Sequence, residues 1–398
     1  MSQLKNIKNR IKIQKQIYFL SERVRRYSVK YQNTWTIGLH MAYAALGSMW
    51  LKNPVKHRQN GNTISIGVIV EGGLGDLIIG LNWLCYLVDI FFKNVSFAFE
   101  VGFNNKAMLS CLAPSFVSKC YTKKELLKRS YDVVLSIARV PQVVYADFSR
   151  VKKLNPRLLD LLESYISLET KYLPFLELAV YKDSIAHNLP LINPKRWAQP
   201  DATGIFNLQE EFILPIKLED INKVLKKFEL QDTPYITVNR EVGYDRIMES
   251  TKLWPINYYR ELVEQLKARY PKYKIVEIGT GKGERLGNTH LNLAGKTSLE
   301  EVKVILKNAA LHIDSEGGLV HLRHALKGGP SLVFFGPSDP AILGYSENVN
   351  LRSLGCSLCC ENVNNSWQEG CILQNHVCMK ELKVEAVLSA LEDRGVLK

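Results

Sequence analysis

The sequence predicts an α/β protein of two domains, each alternating short apolar strands with helices. Three observations carry that expectation. The chain is 398 residues long, more than one hydrophobic core usually encloses. Short apolar runs ending in glycine-rich polar turns, each followed by a helical pattern, occur twice, first from Ser65 and again from Tyr235. The composition, 46% hydrophobic and 23% charged, is that of an ordinary globular protein. The expected division is a basic extension over residues 1–60, a first domain over 61–205 and a second over 206–398.

In the first domain, Ser65 to Val70 carries Ile66, Val68, Ile69 and Val70 and reads as the first strand. Glu71-Gly-Gly-Leu-Gly-Asp76 then turns the chain into an apolar helix, Leu77 to Ile90. This turn lacks the glycine spacing of a dinucleotide fingerprint, so it supports an NAD site only weakly. Asp76 stands at the helix start, where a carboxylate either caps N–H groups or faces a ligand. Val95 to Val101 and Tyr131 to Ile137 read as further strands, and the alternation predicts a parallel sheet. Pro190, Pro194 and Pro200 mark irregular chain near the domain boundary.

In the second domain, the strand Tyr235 to Val238 ends in Asn239-Arg240-Glu241. Lys252-Leu-Trp-Pro255 precedes a helix, Ile256 to Tyr270. The strand Tyr273 to Ile278 ends in Gly279-Thr-Gly-Lys-Gly-Glu284, and Leu299 to Ala309 is a helix. Leu311 to Ile313 ends a buried strand, and Asp314-Ser-Glu-Gly-Gly318 is the polar turn after it. Leu319 to Leu326 then reads as a helix with Leu319, Leu322 and Leu326 on one face. Ser331 to Phe335 is a second buried strand stopped by Gly336-Pro337, and Val384 to Leu391 is the last helix.

The stretch from Leu311 to Gly344 concentrates the chemistry. Gly317 and Gly318 let the backbone approach a ligand closely. A helix starting there presents N–H groups and about half a positive charge, suited to a phosphate. In open α/β sheets ligands bind outside the carboxyl ends of strands, where Asp314, Ser315, Glu316, His321 and Asp339 cluster.

The net charge of +13 is confined to one end. Residues 1–60 hold twelve Lys or Arg and one acid, Glu22, leaving 40 bases against 38 acids over residues 61–398. A nearly neutral body argues against nucleic acid as the partner. The extension does not read as a secretory signal, because its charged region is long and no apolar core follows promptly. Trp35 to Leu51 is apolar but short of the roughly 20 residues a membrane span needs. Beside basic residues, it predicts contact with an anionic membrane surface.

Five of the eight cysteines, Cys356, Cys359, Cys360, Cys371 and Cys378, fall within one short segment. The Cys356-x-x-Cys359 spacing lets two thiolates meet one ion, and Cys371 and Cys378 complete a four-sulfur set suited to zinc or iron. Cys360, adjacent to Cys359, points elsewhere, and His376 is a substitute ligand.

Several of these pieces, in this order, resemble glycosyltransferase family 9, the ADP-heptose lipopolysaccharide heptosyltransferases. They are Gly75-Asp76 after the first strand, Lys252-x-Trp254-Pro255, the Asp314-to-His321 turn, Phe335-Gly-Pro-Ser-Asp-Pro340, and the Cys356…Cys378-Met ending. The resemblance covers about residues 64–395 and leaves the basic extension outside. One departure concerns the polar turn. The family has Asp-Ser/Thr-Gly with a His five residues after the Asp; here counting back from His321 puts Glu316 in that place rather than Asp314.

The resemblance implies the GT-B arrangement, two Rossmann-like domains facing across a cleft. It also implies inverting transfer from a nucleotide sugar, ADP-heptose or similar, with no catalytic metal or other cofactor. The acceptor it implies is a glycan, lipid-linked or protein group, as in lipopolysaccharide or capsule, met in the cytoplasm at the inner membrane. Some relatives that glycosylate bacterial autotransporters carry an iron-binding finger at the cysteine segment. An acceptor hydroxyl needs a carboxylate base, and Asp76 is the candidate. The departing diphosphate needs fixed donors, and Lys252, Arg240, Ser315, His321 and the N–H groups of Gly317, Gly318 and Leu319 are candidates, with Asp314 or Glu316 beside them. Glu284 is placed to hold a ribose hydroxyl. The other readings open to the sequence are a catalytically idle scaffold and a sugar-nucleotide epimerase.

Overall fold

The structure, a computed structural model, describes residues 63–70, 73–87, 97–103, 120–126, 129–138, 140–164, 213–242, 251–356 and 373–397, with positions 108, 111, 112, 166 and 371. The basic extension, the prolines near residue 190 and Cys359 lie outside the described residues.

In the first sheet, β1 (Ile64–Val70) is flanked by β2 (Phe97–Phe103) and β4 (Val133–Ala138), with β3 (Cys120–Thr122) beyond β2 and β5 (Val140–Ala146) beyond β4. The apolar run of β1 suits this central place, since Ile66, Val68 and Val70 are all buried. Helix α1 (Leu74–Leu87) packs on it with Leu77, Ile78, Leu81 and Leu84. Short helices α2 (Lys123–Leu126) and α3 (Phe148–Leu154) follow their strands. The expected parallel sheet needs one correction: β5 runs antiparallel to β4. Only residue 139 separates the two strands, too short a link for the crossover a parallel pair requires. β5 is an edge strand, which accommodates Pro141, a residue with no N–H to give.

The second sheet has the order β11-β10-β9-β6-β7-β8 and is parallel throughout. Helix α4 (Leu218–Lys227) leads into β6 (Tyr235–Val238), and α5 (Ile256–Arg269) precedes β7 (Lys274–Glu277) and β8 (Leu291–Asn292). Then come α6 (Leu299–Asn308), β9 (Leu311–Ser315), α7 (Gly318–Ala325), β10 (Ser331–Phe335), α8 (Pro340–Leu343) and β11 (Val349–Arg352). Helices α9 (Val377–Lys380) and α10 (Val384–Asp393) close the described chain. Helix α5 buries Tyr259, Leu262, Val263 and Leu266, the spacing of one helical face. Helix α6 opens with a capping box in which Ser298 and Glu301 satisfy each other's backbone. Trp254 has no exposed surface; it stacks on Phe334 and donates its indole N–H to Leu382 O, so it seals the start of α5.

One apolar cluster runs without a break from β1 and α1 of the first domain to α6 and α7 of the second. Lys303 on α6, 5% exposed, reinforces this contact by donating to Cys111 O at 2.9 Å and pairing with Glu300 at 2.8 Å. Arg323 on α7 is wholly buried and its guanidinium is satisfied by the carbonyls of Leu306, Ala309, Gly329 and Pro330. That fixes α7 against α6 and so fixes where its N-terminus points.

Candidate active site

The starts of α1 and α7 meet where the domains touch. A Cβ on Gly75, in the first turn of α1, would lie 2.7 Å from His321 Cδ2 and 3.5 Å from Gly318 Cα. A Cβ on Gly318 would lie 2.8 Å from Leu74 Cβ. Both positions are therefore glycine because no side chain fits between the helix ends. Gly317 is the N-cap of α7 and gives it no side-chain cap. Two positive helix ends in contact create a place for an anion.

Asp76 lies in the first turn of α1, partly exposed, and accepts the Gly73 N–H at 3.0 Å. Its capping role and its place at the domain junction thus coexist. His321, 3% exposed, holds Tyr345 OH at 2.7 Å on Nδ1 while its other edge faces Gly75. Tyr345 is itself stacked on His324, which bonds Glu347.

Lys252 pairs with Glu316, whose carboxylate also accepts from Ser338 Oγ at 3.3 Å. Lys252 is 20% exposed and Glu316 9%, so the pair is largely withdrawn from water. Glu316 therefore occupies the turn that leads into α7, next to the expected phosphate-binding lysine.

Asp314 and Ser315 are placed differently from expectation. They form the last residues of β9, not a turn, because β10 pairs with both. Each is 2% exposed. Asp314 Oδ1 accepts from Asn239 Nδ2 at 2.8 Å and Oδ2 lies 3.3 Å from His312 Nε2, while Thr237 Oγ1 lies 3.0 Å from His312 Nδ1. Burial raises the Asp314 carboxyl well above the usual range against the Asn239 hydrogen bond. Burial, with the Arg323 charge second, holds His312 down to about 3. Ser315 Oγ lies 3.4 Å from the OH of Tyr259, whose phenol burial pushes up. Asp314 thus lies within the strand, and Glu316 rather than Asp314 stands beside Lys252 in the turn before α7.

Arg240 follows β6, and its Nε is buried with no hydrogen-bond partner among the described residues. Glu284, 60% exposed, pairs with Arg260 at 3.1 Å, at the outer end of the loop after β7. Arg240 thus leaves the strand next to β9, and Glu284 lies beyond the following strand, β7.

Glu241 is a residue the sequence reading passed over. Its carboxylate accepts from Thr280 N, Thr280 Oγ1 at 2.6 Å, Gly281 N at 2.9 Å and Gly283 N at 3.0 Å, and Arg285 Nη1 lies 3.3 Å away. Burial opposes its ionisation, but the Thr280 hydroxyl and the N–H groups of Gly283, Thr280 and Gly281 overcome it, leaving the carboxyl below its usual range. The signal was present in the Gly279-x-Gly281-x-Gly283 spacing, which describes a cradle with small residues around an anion.

Of the four expected metal ligands, three are described. Cys378 is 5% exposed within the apolar cluster of Met379, Leu382 and Trp254. Cys356 is partly buried against the same cluster. Burial works against the Cys371 thiolate, but the N–H groups of His376, Asn375, Leu373 and Gln374 outweigh it and lower its pKa. Among the described residues no group of three His, Cys, Asp or Glu is placed to hold a metal ion.

Two α/β domains meeting at paired helix N-termini define the GT-B class, and solved structures share that architecture. ADP-heptose lipopolysaccharide heptosyltransferase II of E. coli matches with a TM-score of 0.53 at 16% identity, covering 83% of this chain and 98% of that one. The family 9 glycosyl transferase of Veillonella parvula matches at 0.51 and 14%, covering 83% and 97%. The dodecameric iron-containing heptosyltransferase TibC, in complex with ADP-D-beta-D-heptose, matches at 0.53 and 14%, covering 83% and 76%; a TibC structure from enterotoxigenic E. coli is similar. Residues 201–372 match glycosyltransferase family 9 (heptosyltransferase). Lipopolysaccharide heptosyltransferase 2 of Salmonella typhimurium is 32% identical over 101 residues, 22% of this chain and 28% of that protein. Lipooligosaccharide heptosyltransferase 2 of Haemophilus influenzae is 29% identical over 132 residues, 30% of this chain and 37% of that protein. The matched stretch thus spans well under half the length of these curated relatives. No helix among the described residues is long and apolar enough to cross a membrane.

Proposed function

We propose that the protein is an inverting glycosyltransferase that moves a sugar from a nucleotide-sugar donor to an acceptor hydroxyl. The observation that carries the reading is the meeting of the first turn of α1, which holds Asp76, with the start of α7 through Leu74, Gly75, Gly318 and His321. Asp76 takes the proton of the acceptor hydroxyl as it attacks the anomeric carbon. The bond to the diphosphate breaks, and the negative charge gathering on it is met by the first-turn N–H groups of α7, by Lys252 and by His321. Glu316 holds Lys252 until the donor arrives, and Asp314 and Ser315 support the turn from below rather than touch the donor. Arg240 and Glu284 lie toward the nucleotide half.

The named relatives act in heptose transfer, and TibC was seen with ADP-D-beta-D-heptose, so an ADP-heptose is the donor proposed here. The acceptor proposed is a lipopolysaccharide, capsule or protein group at the cytoplasmic membrane surface, with residues 1–60 as the membrane-seeking part. A structural zinc or iron at the cysteine segment is also proposed. Cys371 suits a thiolate ligand, and metal analysis of the purified protein should find close to one equivalent.

The test is release of nucleoside diphosphate from purified protein given ADP-heptose, with and without a lipopolysaccharide-core acceptor. Acceptor-dependent release is expected. Binding of the donor with no release under any acceptor would point instead to the idle scaffold.

A further inference from the structure

The loop after β7 is built around a carboxylate of its own chain. Three backbone N–H groups, one hydroxyl and one guanidinium converge on Glu241. A Cβ at Gly279 would lie 2.8 Å from Glu241 Oε2, and one at Gly283 would lie 3.0 Å from its Cγ. Gly279 and Gly281 also hold φ of +149° and +89°, which L side chains rarely adopt. The backbone of Glu241 is clamped as well. Asn239 Oδ1 accepts its N–H at 3.1 Å, Asn239 Nδ2 donates to its carbonyl at 3.0 Å, and the same Nδ2 reaches buried Asp314. A chain of contacts therefore runs from the layer beneath β9 through Asn239 to Glu241 and into the glycine loop. On one side of this joint stands Arg240, whose buried Nε has no hydrogen-bond partner among the described residues; on the other stands Glu284.

We propose that Glu241 is a positioning residue for the nucleotide half of the donor. Its carboxylate is an internal anion that locks the turns after β6 and β7 together, and so sets Arg240 and Glu284 at a fixed separation. The N–H groups of the loop are consumed within the chain, and the nucleotide meets the outside of the joint rather than the cradle. The inference rests on the donor-binding reading above.

Calorimetric titration of ADP into the full chain tests it, using wild type, Glu241→Ala and the isosteric Glu241→Gln, each with and without added acetate. Loss of a charged acceptor from several donors is expected to weaken ADP binding roughly tenfold in Glu241→Ala. Acetate, small enough for the vacated cradle, should restore much of that loss, while wild type is indifferent to it. Glu241→Gln keeps one acceptor oxygen without the charge and should fall between. Wild-type ADP affinity in folded Glu241→Gln, whatever its melting temperature, would overturn the proposal and leave Glu241 a loop staple. Weakened binding that acetate does not restore in Glu241→Ala would overturn the internal-anion role. Should wild type itself bind no ADP, the donor reading fails first and this inference with it.

Discussion

Two glycine turns leave the second sheet at the carboxyl ends of β9 and β7, with only β6 between those strands. In the sequence they look alike: a strand, two or three glycines and an acid. In the structure they do opposite things. The turn after β7 closes on Glu241 and spends its donors within the chain. The turn after β9 runs at once into α7, whose uncapped start lies against Gly75 of the other domain. The difference lies in what each turn faces. A cradle of N–H groups must be satisfied, and where a neighbouring strand end offers a carboxylate it becomes a joint. Where the neighbour is a second helix end, the donors stay available to a ligand.

Substitutions can break this comparison, and the largest effect should come from the open turn's partner. Asp76→Asn keeps an oxygen for the Gly73 N–H, so the start of α1 survives. Transfer should fall about 10²- to 10⁴-fold, the usual cost of losing a general base, with donor affinity nearly unchanged. Steady-state turnover beside a donor titration checks it, and near-normal turnover would remove Asp76 from the chemistry.

Lys252→Ala comes next. It removes a cation from the open turn and takes from the buried Glu316 its charge partner, leaving Ser338 still donating to it. Donor affinity should drop roughly 10- to 100-fold, the range for a hydrogen bond to a charged group. Adding Glu316→Gln to that variant should recover stability but not affinity, since the buried charge is relieved while the phosphate contact stays lost. Recovery of both would mean that Lys252 serves only Glu316.

A matched pair of glycine substitutions sharpens the contrast. In Gly318→Ala the new methyl meets Leu74 across the domain junction, and in Gly281→Ala it meets Gly295 Cα at 2.9 Å within one domain. Each costs about 1–3 kcal/mol as overpacking, and Gly281→Ala adds the backbone strain of a side chain at φ +89°. The first should appear mainly in turnover, because it parts the domains, and the second mainly in thermal unfolding. Equal effects on both readouts would erase the distinction between an open turn and a joint.

Much of the fold was legible because periodicity reports burial. The expected strand Ser331 to Phe335 matches β10, and the helices beginning at Ile256, Leu299 and Val384 start where expected. The antiparallel β5 was not legible, since direction depends on a link length that periodicity does not encode. In the candidate site, strand ends and helix starts located the turns of Gly75 and Gly318, while the contact between them across the domains appeared only in the structure. The depth of Asp314 did not, because a polar residue after an apolar run reads as a turn unless its buried partners, here Asn239 and His312, are known. Glu241 was missed for the same reason: its donors come from a loop some forty residues on.

The smallest effect separates the buried layer from the turn above it, through pH. Folded Asp314 keeps its proton above the ordinary carboxylate value of about 3.9, because burial disfavours the anion. The folded state then binds a proton the unfolded chain has released, so this contribution to stability falls as pH rises. His312 has the opposite sign. It is held near 3 against 6.5 when unfolded, so the unfolded chain binds the extra proton and stability rises with pH across that window. Above about pH 4 the fall from Asp314 opposes the rise from His312, and the rise ends near pH 6.5. Asp314→Asn supplies a neutral side chain of the same shape, able to accept from Asn239 and donate to His312. Urea unfolding from about pH 4 upward should show wild type losing stability relative to the variant as pH rises through the raised pKa of folded Asp314. Parallel behaviour of the two proteins would mean that Asp314 is ionised in the fold, and that the layer under the open turn carries a charge that some nearby cation must balance.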